Sequence, residues 1–128
     1  MILYDNVFGN ETGYIIHGDL HSENILDDGK QFWGIDPCGY VGPVEFEFVR
    51  FILNDLKRNK ESGNKERFEQ LINLFGRFVD PVRLVQAFIV DTAFIAFNST
   101  FEHDLPADSL VDLDLLETAG EWLERYRN

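Results

Sequence analysis

Cysteine occurs once in the 128 residues, as Cys38, so no disulfide can close within the chain. A lone thiol fits a reducing compartment, and a cytoplasmic location is expected. Basic residues are scarce, with 11 Lys and Arg against 23 Asp and Glu, for a net charge of −12. A surface of that sign repels a phosphate backbone and argues against a nucleic-acid partner. It favours solubility and attracts cationic ligands. Long apolar runs are missing too. The richest stretch, Leu84 to Phe97, is broken by Gln86, Asp91 and Thr92. It is too short to cross a bilayer, so it reads as a core helix and no membrane partner is expected. No charged segment followed by an apolar run opens the chain, which is the pattern of a signal peptide. Repeats and low-complexity segments are absent. Lysine is confined to Lys30, Lys57, Lys60 and Lys65, with none ahead of residue 17.

What remains is enough for one core. Hydrophobic residues make up 45% of the chain and include twelve Phe, so a single domain over 1–128 is expected. The first third reads as strand and loop. Tyr14-Ile15-Ile16 suits a short buried strand. Ile25-Leu26 and Phe32 to Ile35 flank Asp27-Asp28-Gly29-Lys30, a hairpin signal whose turn needs the positive φ that Gly29 adopts without a Cβ clash. From residue 43 to 128 the pattern is helical. Gly42-Pro43 opens a first helix, with Glu45 and Glu47 in its first turn and Val44, Phe48, Phe51, Ile52 and Leu56 at helical spacing. Lys57 to Lys65 reads as a loop. Phe68, Leu71, Ile72, Phe75, Phe78 and Val79 mark a second helix. Asp80-Pro81 caps and starts a third that runs to about Phe97 and is apolar nearly all round. Asn98 to Pro106 reads as a loop, and Asp108 caps a fourth helix carrying Leu115, Leu116, Ala119, Trp122, Leu123 and Tyr126. The aromatics Phe68, Phe75, Phe78, Phe88 and Phe94 are expected in the core. The fold class is α+β: a small hairpin unit followed by about four helices.

Chemistry concentrates in His17-Gly18-Asp19-Leu20-His21-Ser22-Glu23-Asn24 and in Ile35-Asp36-Pro37. Phosphoryl transfer needs an acceptor hydroxyl aimed at the γ-phosphate and cations that offset charge on the phosphate oxygens. A carboxylate can accept the hydroxyl proton. An amide oxygen and a second carboxylate suit magnesium, which prefers hard oxygen ligands. A kinase catalytic loop places Asp and Asn with four residues between them, the spacing of Asp19 and Asn24, and its metal-binding Asp ends the next hairpin, as Asp36 does here. The competing reading makes Asp19 and Asn24 ordinary loop residues that cap backbone groups.

On these residues the sequence resembles the aminoglycoside phosphotransferase group of kinase-like enzymes. Ile35-Asp36-Pro37-Cys38-Gly39-Tyr40-Val41-Gly42, continuing to Phe46-Glu47, most resembles its streptomycin kinase branch, the aminoglycoside/hydroxyurea antibiotic resistance kinases. The likeness covers about residues 14–55. It implies the C-terminal lobe of a protein-kinase-like fold, with a catalytic loop over 17–24 and a metal-binding segment over 35–42. It implies Asp19 as the catalytic carboxylate and Asn24 and Asp36 as magnesium ligands. His17 and His21 would support the loop, and Glu47 would tie the following helix to it. The cofactors implied are Mg2+ and a nucleotide, ATP or GTP. The acceptor implied is a small-molecule alcohol, and a cationic aminoglycoside would suit the acidic patch that Glu102, Asp104, Asp108, Asp112 and Asp114 form around His103, a patch that surface solvation also explains. Gly18 stands where protein kinases carry Arg, and five residues separate Asp36 from Gly42, which leaves no room for a long activation segment.

A full kinase site also needs a Gly-rich loop over the phosphates and a strand lysine. Neither precedes His17, so the chain is expected to lack the N-terminal lobe, to show little activity by itself, and to self-associate or need a partner through the apolar surface so exposed. Two other readings compete. One is a non-catalytic remnant acting as an interaction module. The other is a metal-dependent hydrolase with zinc on His17, Asp19 and His21, for which His103 is the only further histidine.

Overall fold

A computed structural model describes residues 13–58, 64–102 and 106–127, with side chains up to residue 96 and from 113 onward. The architecture is α+β: two antiparallel two-stranded ribbons followed by four helices. Strand β1 (Tyr14–Ile16) pairs with β4 (Tyr40–Gly42), Ile15 opposite Val41. Strands β2 (Ile25–Asp27) and β3 (Phe32–Gly34) form the hairpin read from the sequence, Leu26 opposite Trp33. Its turn is closed by side chains. Asp27 Oδ1 accepts from Gly29 N–H at 2.8 Å, and Asp28 Oδ1 accepts from Lys30 and Gln31 N–H at 2.8 and 2.9 Å. Gly29 sits at φ 83°.

The strand expected over residues 14–16 forms, but it is not buried along its length. Only Ile16 turns inward; Ile15 is 85% exposed. A lone ribbon of two strands has one face without a covering layer, which three apolar letters do not reveal. Strand β4 had no sequence signal, because its role comes from a partner 26 residues away.

Helix α1 (Glu45–Arg58) starts two residues after Pro43. Pro43 and Val44 make the tightened entry turn, their carbonyls accepting from Phe46 and Glu47 N–H at 3.2 and 3.1 Å. Acids in its first turn and Lys57 and Arg58 in its last complement the helix dipole. Its inner face is Val49, Ile52, Leu53 and Leu56, at the i, i+3, i+4, i+7 spacing of a buried stripe. Glu45 is buried as well, its carboxylate 3.1 Å from the Arg83 guanidinium.

Helix α2 (Asn64–Phe75) buries Phe68, Leu71 and Ile72. It ends four residues before Val79. Gly76 N–H still closes on Ile72 O at 2.8 Å, after which Phe78 and Val79 N–H both fold back onto Phe75 O. Phe78 is therefore 73% exposed, outside the core expected for it. Asp80 caps α3 (Pro81–Glu102) as expected, Oδ1 accepting from Val82 and Arg83 N–H at 2.8 and 3.1 Å. The helix continues past Phe97 to Glu102, so the first five residues of the segment read as loop, 98–102, are helical. It packs against all three other helices, yet Phe94 is 64% exposed on its free side. Helix α4 (Pro106–Arg127) begins at Pro106, so Asp108 lies within it and is not its cap. Pro at the first position needs no N–H partner.

The core is one cluster of α1 to α4 side chains. Phe68 and Phe88 meet edge to face at 5.2 Å, flanked by Leu84, Leu115, Ala119 and Trp122. Tyr126 lies outside it, half-exposed and stacked on Trp122 at 4.7 Å. Each fully buried large apolar side chain contributes roughly 1.5–3 kcal/mol. This bundle is the platform on which the two ribbons and the loop between them rest.

Candidate functional site

The loop from His17 to Asn24 crosses from one ribbon to the other, and its shape is set by its own side chains. His17 is held at both ring nitrogens. Nδ1 accepts from Asp19 N–H at 3.2 Å, and Nε2–H donates to Ile35 O at 2.6 Å, which fixes the neutral Nε2–H tautomer. His17 O accepts from Cys38 and Gly39 N–H at 2.8 and 3.2 Å. With both nitrogens committed, His17 cannot offer a lone pair to zinc, which removes the first ligand of the hydrolase reading. His103 lies outside the described residues, and among those residues no group of three His, Cys, Asp or Glu is arranged to hold a metal.

Asp19, His21 and Asn24 come together. Asn24 Nδ2–H donates to Asp19 O at 2.9 Å and lies 3.5 Å from Asp19 Oδ2. His21 caps the 3-10 turn Ser22–Asn24, Nδ1 accepting from Glu23 N–H at 3.3 Å. That leaves its proton on Nε2, which faces Asp19 Oδ2 at 3.6 Å and so cannot accept from Asn24. The Asn24 amide is thus pinned by its nitrogen, and Oδ1 takes no hydrogen bond from the described residues. Arg58, at the end of α1, holds the turn from below through Glu23 at 2.7 Å and through Ser22.

Asp36 is tied in through its neighbour. Ile35 N–H donates to Asn24 O at 2.9 Å while Ile35 O accepts from His17. Asp36 has φ 54°, the one left-handed non-glycine among the described residues. Such a conformation persists only where surrounding bonds impose it, and it clusters at functional sites. The carboxylate is exposed and takes no hydrogen bond or ion pair from the described residues. No hydrogen bond joins it to Asp19 or Asn24. Two oxygen donors, Asn24 Oδ1 and the Asp36 carboxylate, are therefore uncommitted on linked segments, which fits a hard cation such as magnesium.

Glu47, on the first turn of α1, accepts from His17 N–H through Oε2 at 2.6 Å and from Gly18 N–H through Oε1 at 3.1 Å. One carboxylate thus fastens the start of the loop to the helical bundle. Glu47→Ala leaves two partly buried amides without an acceptor and is expected to cost about 1.5–3 kcal/mol in denaturant unfolding. Glu47→Gln, which keeps one acceptor oxygen, should recover part of the loss.

Sequence reasoning missed Arg50 and Asp91, which meet from α1 and α3 beside Gly18. A polar residue at 91 inside an apolar stretch was the available signal. Most of the acidic group expected near an acceptor, including His103, Asp104, Asp108 and Asp112, lies outside the described side chains. Asp114 is exposed.

The family profile for aminoglycoside/hydroxyurea antibiotic resistance kinases matches residues 9–99. The chain is similar to methylthioribose kinase of Bacillus pumilus, 27% identical over 110 residues that cover 77% of this chain and 27% of that protein. It is similar to streptomycin 3''-kinase of Klebsiella pneumoniae, 45% identical over 40 residues, 30% of this chain and 15% of that one. Methylthioribose kinase of Bacillus velezensis is 28% identical over 117 residues, 90% of this chain and 27% of that one. The chain thus spans about a quarter of the length of these relatives, or less. No solved structure gives a significant match.

Proposed function

The chain belongs to the aminoglycoside/hydroxyurea antibiotic resistance kinase family, and from that premise we propose that it carries the catalytic-loop lobe of a kinase that phosphorylates a small-molecule alcohol. Asp19 orients the acceptor hydroxyl and takes its proton as the hydroxyl oxygen bonds to the γ-phosphorus, while the bond from that phosphorus to the β-phosphate oxygen breaks and the nucleoside diphosphate leaves. Asn24 Oδ1 and the Asp36 carboxylate are the residues that hold Mg2+, which when bound offsets charge on the nucleotide phosphates. His17 and His21 keep the loop in shape, and Glu47 anchors it. One observation carries the reading. The Asn24 amide is clamped by its nitrogen against the Asp19 backbone, 3.5 Å from the Asp19 carboxylate, and its oxygen takes no hydrogen bond from the described residues.

The nucleotide, ATP or GTP, has no lysine or Gly-rich loop to meet it within residues 1–16. The 128-residue polypeptide is therefore expected to bind nucleotide weakly and turn over slowly. The test is transfer of a labelled γ-phosphate to a panel of alcohols that includes a riboside and streptomycin. A phosphoester that forms with Mg2+ and disappears in Asp36→Asn supports the reading. Ester formation indifferent to Asp36 sinks it.

A second reading, an interaction module that keeps the loop by descent, has the exposed ribbon residues Ile15, Phe32 and Val41 in its favour. It predicts no ester from any acceptor and a stable complex or self-association instead, which light scattering resolves.

A further inference from the structure

The turn that carries Asn24 is tied to the helical bundle by one side chain. Arg58, in the last turn of α1, forks onto two neighbours in the Ser22–Asn24 turn. Its Nη2 stands 2.7 Å from Glu23 Oε1, and its Nη1 donates to Ser22 Oγ. The other bonds of the turn stay within the loop or lead to the second ribbon. Asn24 N–H donates to His21 O, Glu23 N–H to His21 Nδ1 and Asn24 Nδ2–H to Asp19 O, while Asn24 O accepts from Ile35 N–H. Among the described residues, no other hydrogen bond or ion pair joins residues 22–24 to α1, α2, α3 or α4. Asp55, one turn back on the same helix, is already held at both oxygens by Arg67 of α2, at 2.9 and 3.0 Å. The front of the loop has its own anchor in Glu47, which binds His17 and Gly18 N–H from the first turn of α1. Glu47 and Arg58 are separated by about 16 Å along the axis of α1 at an α-helix's rise per residue. Asp19 lies beside the first anchor and Asn24 beside the second.

The two partners of this clamp are solvent-exposed, Arg58 by 49% and Glu23 by 71% of the side chain, and an exposed ion pair adds little to global stability. Its effect is local. A 3-10 turn of three residues has poorly aligned hydrogen bonds and opens at low cost. When it opens, the Asn24 amide parts from the Asp19 carbonyl and Oδ1 loses its fixed direction. A planar guanidinium is pre-organised, so gripping two adjacent residues restrains the turn against rotation as well as displacement. We propose that Arg58 is a positioning residue of the metal site: through Ser22 and Glu23 it holds the turn so that Asn24 Oδ1 keeps its pose for a cation. That the cation is the Mg2+ of a nucleotide rests on the phosphotransferase reading above; that Arg58 orders the turn does not.

The experiment compares wild type, Arg58→Ala and Arg58→Lys by amide NMR, first without metal and then in a titration with Mn2+. Manganese shares magnesium's preference for carboxylate and carbonyl oxygen, and its unpaired electrons broaden nearby resonances. Without metal, the backbone amides of Ser22, Glu23 and Asn24 should be as ordered as those of α1. Arg58→Ala should lower their order parameters from about 0.85 to below about 0.6 while the thermal midpoint moves little. In the titration, the amides of Asn24 and Asp36 should broaden first. Arg58→Ala should raise the Mn2+ concentration that half-broadens them about ten- to a hundredfold, the range for loss of a group that orients a metal ligand. Arg58→Lys keeps the charge without the fork and should recover part of both losses. Ser22→Ala with Glu23→Gln removes what the guanidinium grips, so it should reproduce the Arg58→Ala loss, and adding Arg58→Ala to it should change nothing further. An arginine that merely stabilised the fold would lower the folded fraction and leave the Mn2+ midpoint in place. That result overturns the inference, as does a turn that stays ordered in Arg58→Ala or a further loss on the Ser22, Glu23 background. A turn that loosens in Arg58→Ala, in a protein whose Asn24 and Asp36 ignore Mn2+, supports the clamp and removes the metal ligands of the phosphotransferase reading alone.

Discussion

Asp19→Asn is expected to lower phosphoester formation by about 10²- to 10⁴-fold, the range for loss of a positioned general base. The substitution is nearly isosteric, and the shorter bonds that shape the loop bypass the side chain it alters, which meets only the longer approaches of Asn24 Nδ2 and His21 Nε2 at 3.5 and 3.6 Å. Asn24 donates to the Asp19 carbonyl, and Asp19 N–H donates to His17, so both survive the change. The melting temperature should therefore move little while kcat collapses, and nucleotide KM should stay near the wild-type value. A comparable loss from Asn24→Ala should instead show as a raised magnesium requirement, because the amide oxygen removed there is assigned to the cation rather than to the hydroxyl. If Asp19→Asn lowered turnover only in proportion to a loss of folded protein, the carboxylate would be a structural group and the acceptor would have no base. Steady-state kinetics run beside thermal melts separate these outcomes.

The parts of this molecule that could be read from its sequence are those whose causes lie within a few residues. The hairpin over Ile25 to Gly34 follows from an Asp-Gly turn between apolar pairs, and the start of α3 follows from Asp80-Pro81. The buried stripe of α1 follows from its periodicity, although side-chain size favours Phe48 and Phe51, which sit half-buried at its edge, over Val49 and Leu53, which lie within it. The loop from His17 to Asn24 was legible for a different reason, since its spacing is demanded by chemistry rather than by packing. What was hidden depends on where distant segments meet. The pairing of β1 with β4 joins residues 26 apart. Glu45 reads as a solvated first-turn acid, yet it is buried because α3 brings Arg83 against it. Asp91 looks like an interruption of a core helix until Arg50 is seen opposite. Phe78 and Phe94 have core composition but stay exposed, Phe78 beyond the end of α2 with one face stacked on Phe48, and Phe94 on a side of α3 that the described residues leave open.

Gly18→Ala should be the most damaging single-methyl change near the site, and its cost has two separable sources. The residue sits at φ 83°, where an L side chain costs about 1–2 kcal/mol. A Cβ built there would also lie 2.4 Å from Tyr40 Cδ2 and 3.1 Å from Cε2, so the ring must move, a form of overpacking that costs about 1–3 kcal/mol. Together these take a large share of the roughly 5–15 kcal/mol that holds a domain of ordinary stability. A double-mutant cycle divides them. In a Tyr40→Ala background the clash disappears while the backbone strain remains, so Gly18→Ala should then cost only the smaller backbone part, and the coupling between positions 18 and 40 should equal the steric part. Zero coupling would mean that the ring yields freely and that φ alone demands glycine. The same clash acts on the catalytic loop, because a side chain at 18 that pushes against Tyr40 should also shift Asp19 beside it. Turnover should therefore fall in Gly18→Ala by more than the loss of folded protein accounts for, and Tyr40→Ala should restore part of it.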